Sequence, residues 1–234
     1  MGVEQSFDKA FSLAKKAGLD GGDPGALYLL GLMCENAETP DQAEGGPRQE
    51  YDHYDAERFY ELCAQKDSIW KATAISWLGD YYMDMARGGD PEVAIDYYTM
   101  IGHDDPDAAE ALSDYYYDMV AYNIENDVYN EENGEKLYEW TLEAYRFNPH
   151  DYAYRMGRIY AEGIGCEPSF RLARKYYEDA YEFGVIDAAD DIANLYQNRI
   201  DTNDLPADEL ARCRKEVESW HRIAERARAR QSGE

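Results

Sequence analysis

The sequence predicts an all-α protein built from repeated antiparallel helix hairpins. Three observations carry that expectation. Apolar and small residues recur at helical spacing almost everywhere, and no convincing run alternates with period two. Val and Ile are scarce, while Ala, Leu, Tyr and Glu are plentiful. The pattern also repeats itself, as arrays of helix pairs do.

The clearest copy runs from Ala153 through Met156-Gly157, Tyr160 and Gly163-Ile164-Gly165 to Ala173, Tyr176-Tyr177, Ala180 and Gly184. The same frame appears at Leu78-Gly79 with Tyr82, then Ala94 with Tyr97-Tyr98. Weaker copies are Leu30-Gly31 with Cys34, Leu112-Ser113 with Tyr116, and Ile192-Ala193 with Tyr196. For the second helices, Ala56 with Phe59-Tyr60, Leu137 with Trp140 and Ala144, and Val217 with Trp220 and Ala224 fill the slots of Ala173, Tyr176 and Ala180. Phe7, Ala10-Phe11, Ala14 and Gly18 read as a second helix without its first. Five first helices and six second helices are expected, eleven in all.

Each slot has a physical reason. Gly or a small residue after the Leu lets the paired helix approach closely. Tyr three residues beyond it, and the aromatic pair of the second helix, fill the space between adjacent hairpins. Gly18 and Gly184 are expected to end second helices in the left-handed conformation. Pro24, Pro91, Pro106 and Pro168 sit near helix starts, where a missing N–H costs nothing.

This arrangement resembles the Sel-1-like repeat family, a relative of the tetratricopeptide repeats. The Leu slot to second-helix Ala spacing is 16 residues from Leu78 to Ala94 and 17 from Met156 to Ala173. A tetratricopeptide hairpin is tighter and lacks the Gly163-x-Gly165 loop. The resemblance implies a right-handed α-superhelix, an α-solenoid of about five repeats, forming a single domain over 1–234. Its parts are an N-terminal helix near 5–18 and repeats near 24–65, 69–102, 106–147, 150–184 and 186–230. Polar insertions at 36–53 and 123–133, and at 199–206, fall at hairpin tips, where a solenoid tolerates them. The role of the first two stays open.

The chain has 234 residues and carries 49 Asp and Glu against 23 Lys and Arg, a formal net charge of -26. Hydrophobic residues at 44% argue against disorder at that charge. Acidity disfavours nucleic acid and membrane surfaces, which gain affinity from Lys and Arg. Solubility accounts for such a charge by itself; a basic partner is the sharper alternative. The last 28 residues, with seven basic and six acidic groups, are the exception to it.

The N-terminus lacks a charged and apolar leader, and no stretch reaches 18 apolar residues. A cytoplasmic protein is expected. Cys34, Cys63, Cys166 and Cys213 show no CxxC spacing and read as free, mostly buried thiols. His53, His103, His150 and His221 stand in no HExxH or Cys–His arrangement. His103-Asp104-Asp105 reads as a solvated acidic turn, and Asp20-Gly21-Gly22-Asp23 lacks the ligand pattern of an EF-hand. No phosphate-binding glycine loop or nucleophile elbow occurs. No enzyme activity, metal or cofactor is expected.

In the superhelix that the resemblance implies, first helices line the concave face. Its free positions are Tyr28, Ser76, Asp80, Met83, Glu110, Asp114, Tyr117, Tyr154, Arg158, Asp190 and Asn194, with Leu32 and Gln197 beside them. Acidic and aromatic groups mix there, which suits a protein or extended peptide with Lys or Arg. The resemblance implies an adaptor or scaffold; a masking protein for a basic partner, of immunity type, is the alternative, and an uncharacterised hydrolase stands behind both. Arg222, Arg226 and Arg230 at four-residue spacing, with Arg228 beside them, read either as a basic capping helix or as a homodimer contact on a second copy's acidic face.

Overall fold

The computed structural model describes residues 7–35, 53–128, 130–202 and 204–232. Among the described residues there are eleven α-helices and no strand. They are α1 (Phe7–Lys15), α2 (Pro24–Glu35), α3 (His53–Ala64), α4 (Lys71–Met83), α5 (Pro91–Thr99) and α6 (Pro106–Glu125). Then follow α7 (Glu131–Phe147), α8 (Pro149–Glu162), α9 (Phe170–Glu182), α10 (Asp187–Thr202) and α11 (Ala207–Ser232). The even-numbered helices are the five expected first helices and the odd-numbered ones the six second helices. By their contacts the residues form two compact units, Met1–Ala108 and Ala109–Glu234, with the boundary in the first turn of α6.

Helix starts explain part of the negative charge. Four helices begin at the Pro of an Asp-Pro or Asn-Pro pair: Asp23-Pro24, Asp90-Pro91, Asp105-Pro106 and Asn148-Pro149. The Pro supplies a helical φ and needs no N–H partner. The carboxylates of Asp23, Asp90 and Asp105 accept from the N–H groups of Ala26 (2.7 Å), Glu92 (3.1 Å) and Ala108 (2.9 Å). Asn130 and Ser169 cap α7 and α9 in the same way. Each such cap contributes about 1 kcal/mol. These acidic groups serve the fold before they serve any partner.

The expected ends need one correction. Gly184 is left-handed at φ 101°, as expected, but Gly18 is not. Gly18 lies buried in a π-helical turn, Lys16–Asp20, against Leu27, and the left-handed residue is Gly22 at φ 69°. The wide turn carries the chain four residues further before it reverses.

Packing inside each hairpin follows one rule. The second Tyr of the aromatic pair lies on the Gly of the first helix: Tyr60 on Gly31, Tyr98 on Gly79 and Tyr177 on Gly157. A β-carbon at those glycines would fall 2.7, 2.5 and 2.5 Å from the ring, closer than atoms can approach. The first Tyr of the pair stacks on the first-helix Tyr, Tyr97 on Tyr82 at 5.8 Å and Tyr176 on Tyr160 at 5.5 Å. These tyrosines fill the inside of each hairpin as well as the gap between hairpins. In the third hairpin the pair is Ser113 and Thr141, whose buried hydroxyls are hydrogen-bonded at 2.9 Å. A small hydroxyl replaces glycine, and a second hydroxyl replaces the ring.

The core of the first unit joins Phe11, Leu27, Leu30, Phe59, Tyr60 and Leu78. In the second unit it gathers around Leu137, Met156 and Ile159, and around Tyr177, Ile192 and Cys213. Cys34, Cys63 and Cys213 are buried, and Cys166 is half-buried. Burial pushes the Cys63 and Cys166 thiols up, which keeps them protonated and unreactive. The insertion at 36–53 lies outside the described residues, save for His53, the first residue of α3. Most of the insertion at 123–133 is absorbed into lengthened helices, since α6 runs to Glu125 and α7 begins at Glu131.

Candidate protein-binding face

In the first unit, Tyr28 is half-buried, stacked on Trp70 at 4.9 Å and tilted against Tyr60. Ser76 and Met83 are half-buried on α4, and Asp80 is exposed. Asp80 accepts the hydroxyl of Tyr98 at 2.6 Å. Tyr98 therefore lays its ring on Gly79 and its hydroxyl on the next residue. Burial first, and the Asp80 hydrogen bond second, push the Tyr98 phenol well above its ordinary value.

In the second unit α6, α8 and α10 are joined through side chains. Arg155 on α8 donates to Ser113 and to Asp114 on α6, both at 2.7 Å, and lies 4.5 Å over the Tyr117 ring. Arg158 donates to the Tyr117 hydroxyl at 2.6 Å and to Glu162. Tyr154 donates to Asp191 on α10 at 2.6 Å. Glu110 lies 3.5 Å from the Asn148 amide. Asn194 is exposed.

Asp190 is drawn away from the face. It pairs with Arg228 and lies 3.1 Å from His221 Nδ1. Burial pushes its carboxyl up, but the Arg228 and His221 hydrogen bonds outweigh that and hold it below the usual carboxylate range. Arg228 also bonds Asp187 at 3.0 Å. The acidic partners of Arg228 thus come from its own chain.

The bridging residues Arg155 and Asp191 are absent from the expected set. Both occupy the slot immediately before the Leu position, which the repeat register left unassigned. Their partners lie in other slots, Asp114 for Arg155 and Tyr154 for Asp191, so no single slot signalled the bridges. Arg155 and Arg158, the cations of this face, are held by Asp114, Tyr117 and Glu162. Asp114 keeps 60% of its side chain exposed even so. The surface left for a ligand is carboxylate and phenol.

That arrangement can accept hydrogen bonds from ammonium or guanidinium groups and offer rings to them. Burial, foremost, raises the phenols of Tyr60, Tyr98, Tyr152, Tyr154 and Tyr177, so none is primed to ionise. His150 and His221 each meet a different carboxylate, Asp151 and Asp190. Among the described residues no group of three or more His, Cys, Asp or Glu side chains could hold a metal ion. No helix among them is long and apolar enough to cross a membrane.

No family model matches the chain, and no curated protein matches it either. Among solved structures it is similar to c5321, a protective antigen of uropathogenic Escherichia coli strains displaying an SLR fold, at 19% identity and a TM-score of 0.48. That likeness covers all of this chain and 53% of c5321, so the chain spans about half of that protein's length. It is similar to a Sel1 repeat protein from Oxalobacter formigenes, at 19% identity and a TM-score of 0.49, over 91% of this chain and 82% of the other. It is also similar to MamA, at 20% identity and 0.45, over 83% and 95%. At these levels the fold rests on the chain's own hairpins and on their glycine–tyrosine contacts.

Proposed function

We propose that the chain is a non-catalytic scaffold that binds a basic protein or extended peptide on its first-helix side. The observation that carries this reading is the state of the charges there. In the second unit the guanidinium groups of Arg155 and Arg158 are engaged within the chain, while Asp114 stays exposed beside the half-buried Tyr117. In the first unit Asp80 is exposed. Charge-assisted contacts and cation–π contacts are the chemistry such a surface offers. A cytoplasmic setting, where free thiols persist, belongs to the same proposal.

A salt-titrated pull-down from lysate tests it. A partner should be retained at about 50 mM salt and released toward 0.5 M, where the screening length falls to a few ångströms. Reversing Asp80→Lys, Glu110→Lys and Asp114→Lys together should abolish retention with the helical circular dichroism unchanged. Retention that survives all three reversals rejects the face.

A further inference from the structure

Aromatic rings in the first unit form one unbroken row. Trp70 stacks on Tyr28 at 4.9 Å, Tyr28 meets Tyr60 at 5.6 Å, and Tyr60 meets Trp77 at 4.3 Å. Trp77 stacks on Tyr81 at 5.1 Å, Tyr81 meets Tyr82 edge-on at 5.3 Å, and Tyr82 stacks on Tyr97 at 5.8 Å. Only Tyr60, Tyr82 and Tyr97 occupy slots that the repeat fills with rings. Tyr28, Trp70, Trp77 and Tyr81 lie outside those slots, and they are the rings that close the gaps. Hairpin packing alone does not account for the row. Among the described residues of the second unit the longest such row is Tyr138, Tyr160, Tyr176 and Tyr145, with no tryptophan in it.

The row has a surface end and a proton acceptor. Trp70 is 38% exposed, whereas Tyr60 is fully buried. The Tyr82 hydroxyl donates to the Glu57 carboxylate, and the Tyr60 hydroxyl donates to Glu35 at 3.2 Å. Indole and phenol are the side-chain rings that lose one electron most readily, and rings in contact exchange an electron easily. An oxidised phenol is a strong acid, so a base already bonded to its proton favours the loss of the electron. Near neutral pH the tyrosyl radical is lower in energy than the tryptophanyl radical. Among the described carboxylates, Glu57 and Glu61 stand by Tyr82 and Glu35 by Tyr60, so negative charge favours the oxidised ring at the Tyr82 end.

We propose that this row conducts one-electron oxidation from Trp70 at the surface to Tyr82. A one-electron oxidant of the radical class, such as azidyl, takes an electron from the Trp70 indole and leaves as its anion. An electron from Tyr82 then passes back through Tyr81, Trp77, Tyr60 and Tyr28 and restores Trp70. As Tyr82 loses that electron, its phenolic proton moves to Glu57. The products are the azide anion, a neutral tyrosyl radical at Tyr82 and a protonated Glu57. This activity needs no protein partner, so it stands or falls apart from the first-helix face.

Pulse radiolysis of the full chain in azide solution tests it, since azidyl attacks indole in preference to phenol. Indolyl absorbance should decay as tyrosyl absorbance grows, at a rate independent of protein concentration. A nitroso spin trap read by mass spectrometry should place its adduct on Tyr82. Trp77→Phe keeps a ring in place, but one far harder to oxidise. It should abolish the Tyr82 adduct with the helical circular dichroism unchanged. Trp70→Phe removes the exposed indole and should lower the yield of that adduct. Glu57→Gln removes the proton acceptor and should slow the growth of tyrosyl absorbance. Trp220 and Tyr181, 6.0 Å apart in the second unit, should give a separate phase that none of these variants alters. Tyrosyl growth that scales with protein concentration overturns the proposal. So does a Tyr82 adduct that survives Trp77→Phe, an undiminished yield in Trp70→Phe, or a wild type that shows only the second-unit phase.

Discussion

A β-carbon on Gly157 would lie 2.5 Å from the ring of Tyr177, and the same pairing recurs at Gly79 with Tyr98 and Gly31 with Tyr60. The glycine is a seat for a ring, twenty residues on in the best copy. Each seat fixes the distance between the two helices of its hairpin, and through it the register of every other contact between them.

Gly157→Ala therefore tests the packing rule. Helix propensity alone favours Ala by about 1 kcal/mol. The ring contact opposes it, and overpacking of this kind costs about 1–3 kcal/mol. Tyr177 is fully packed and lies between helices, so the clash should win and Tm should fall. Gly157→Ala combined with Tyr177→Ala should lose less than the sum of the two single changes. A single variant as stable as wild type contradicts the rule.

Much of this was legible beforehand. Small and aromatic residues at fixed helical offsets are a local signal, so the eleven helices and the glycine slots followed from spacing. The bridges did not. Arg155 finds Asp114 and Ser113 some forty residues away, and its slot holds a different residue type in each copy. The π-helical turn was hidden as well, because Gly18 and Gly22 both suit a helix end by composition.

Thr141→Val probes the hairpin that lacks the seat. Ser113 Oγ loses its hydrogen bond with the Thr141 hydroxyl but keeps the one it accepts from Arg155. A cost of about 1–2 kcal/mol is expected from chemical denaturation, the range for a lost buried hydrogen bond. No loss of stability would mean that the pair is dispensable.

Alkaline titration reads the tyrosine seats. Burial, foremost, raises the phenols of Tyr60, Tyr98 and Tyr177 above the ordinary value near 10. A raised folded value means stability that is full below the unfolded value and lost as pH rises toward the folded one. Tyrosinate absorbance should therefore lag that of free tyrosine, with a late step coincident with loss of helical dichroism. Full titration at ordinary pH with helices intact would contradict the seats.

Acid titration reads Asp190. Its folded value is depressed, so the Arg228 contact stabilises above the unfolded value and is lost as pH falls through the folded one. Arg228→Gln should lower Tm at pH 7, and the difference from wild type should begin to shrink below about pH 4 and vanish once Asp190 is protonated in the folded protein. A difference that persists at lower pH would assign the effect to something other than this pair.

The expectation of one domain over 1–234 is a proposal alongside the two compact units. A single calorimetric transition is its predicted outcome, and two resolved transitions would show the units melting separately.

Carboxyl footprinting of the protein with its retained partner bears most directly on the account. Carbodiimide labelling read by mass spectrometry reports each carboxylate separately. Protection of Asp80, Glu110 and Asp114 on partner binding, with Asp96 and Asp208 on the second helices unchanged, is the predicted result. Protection confined to the second helices, with Asp80 and Asp114 labelled as fully as in the free protein, would contradict it.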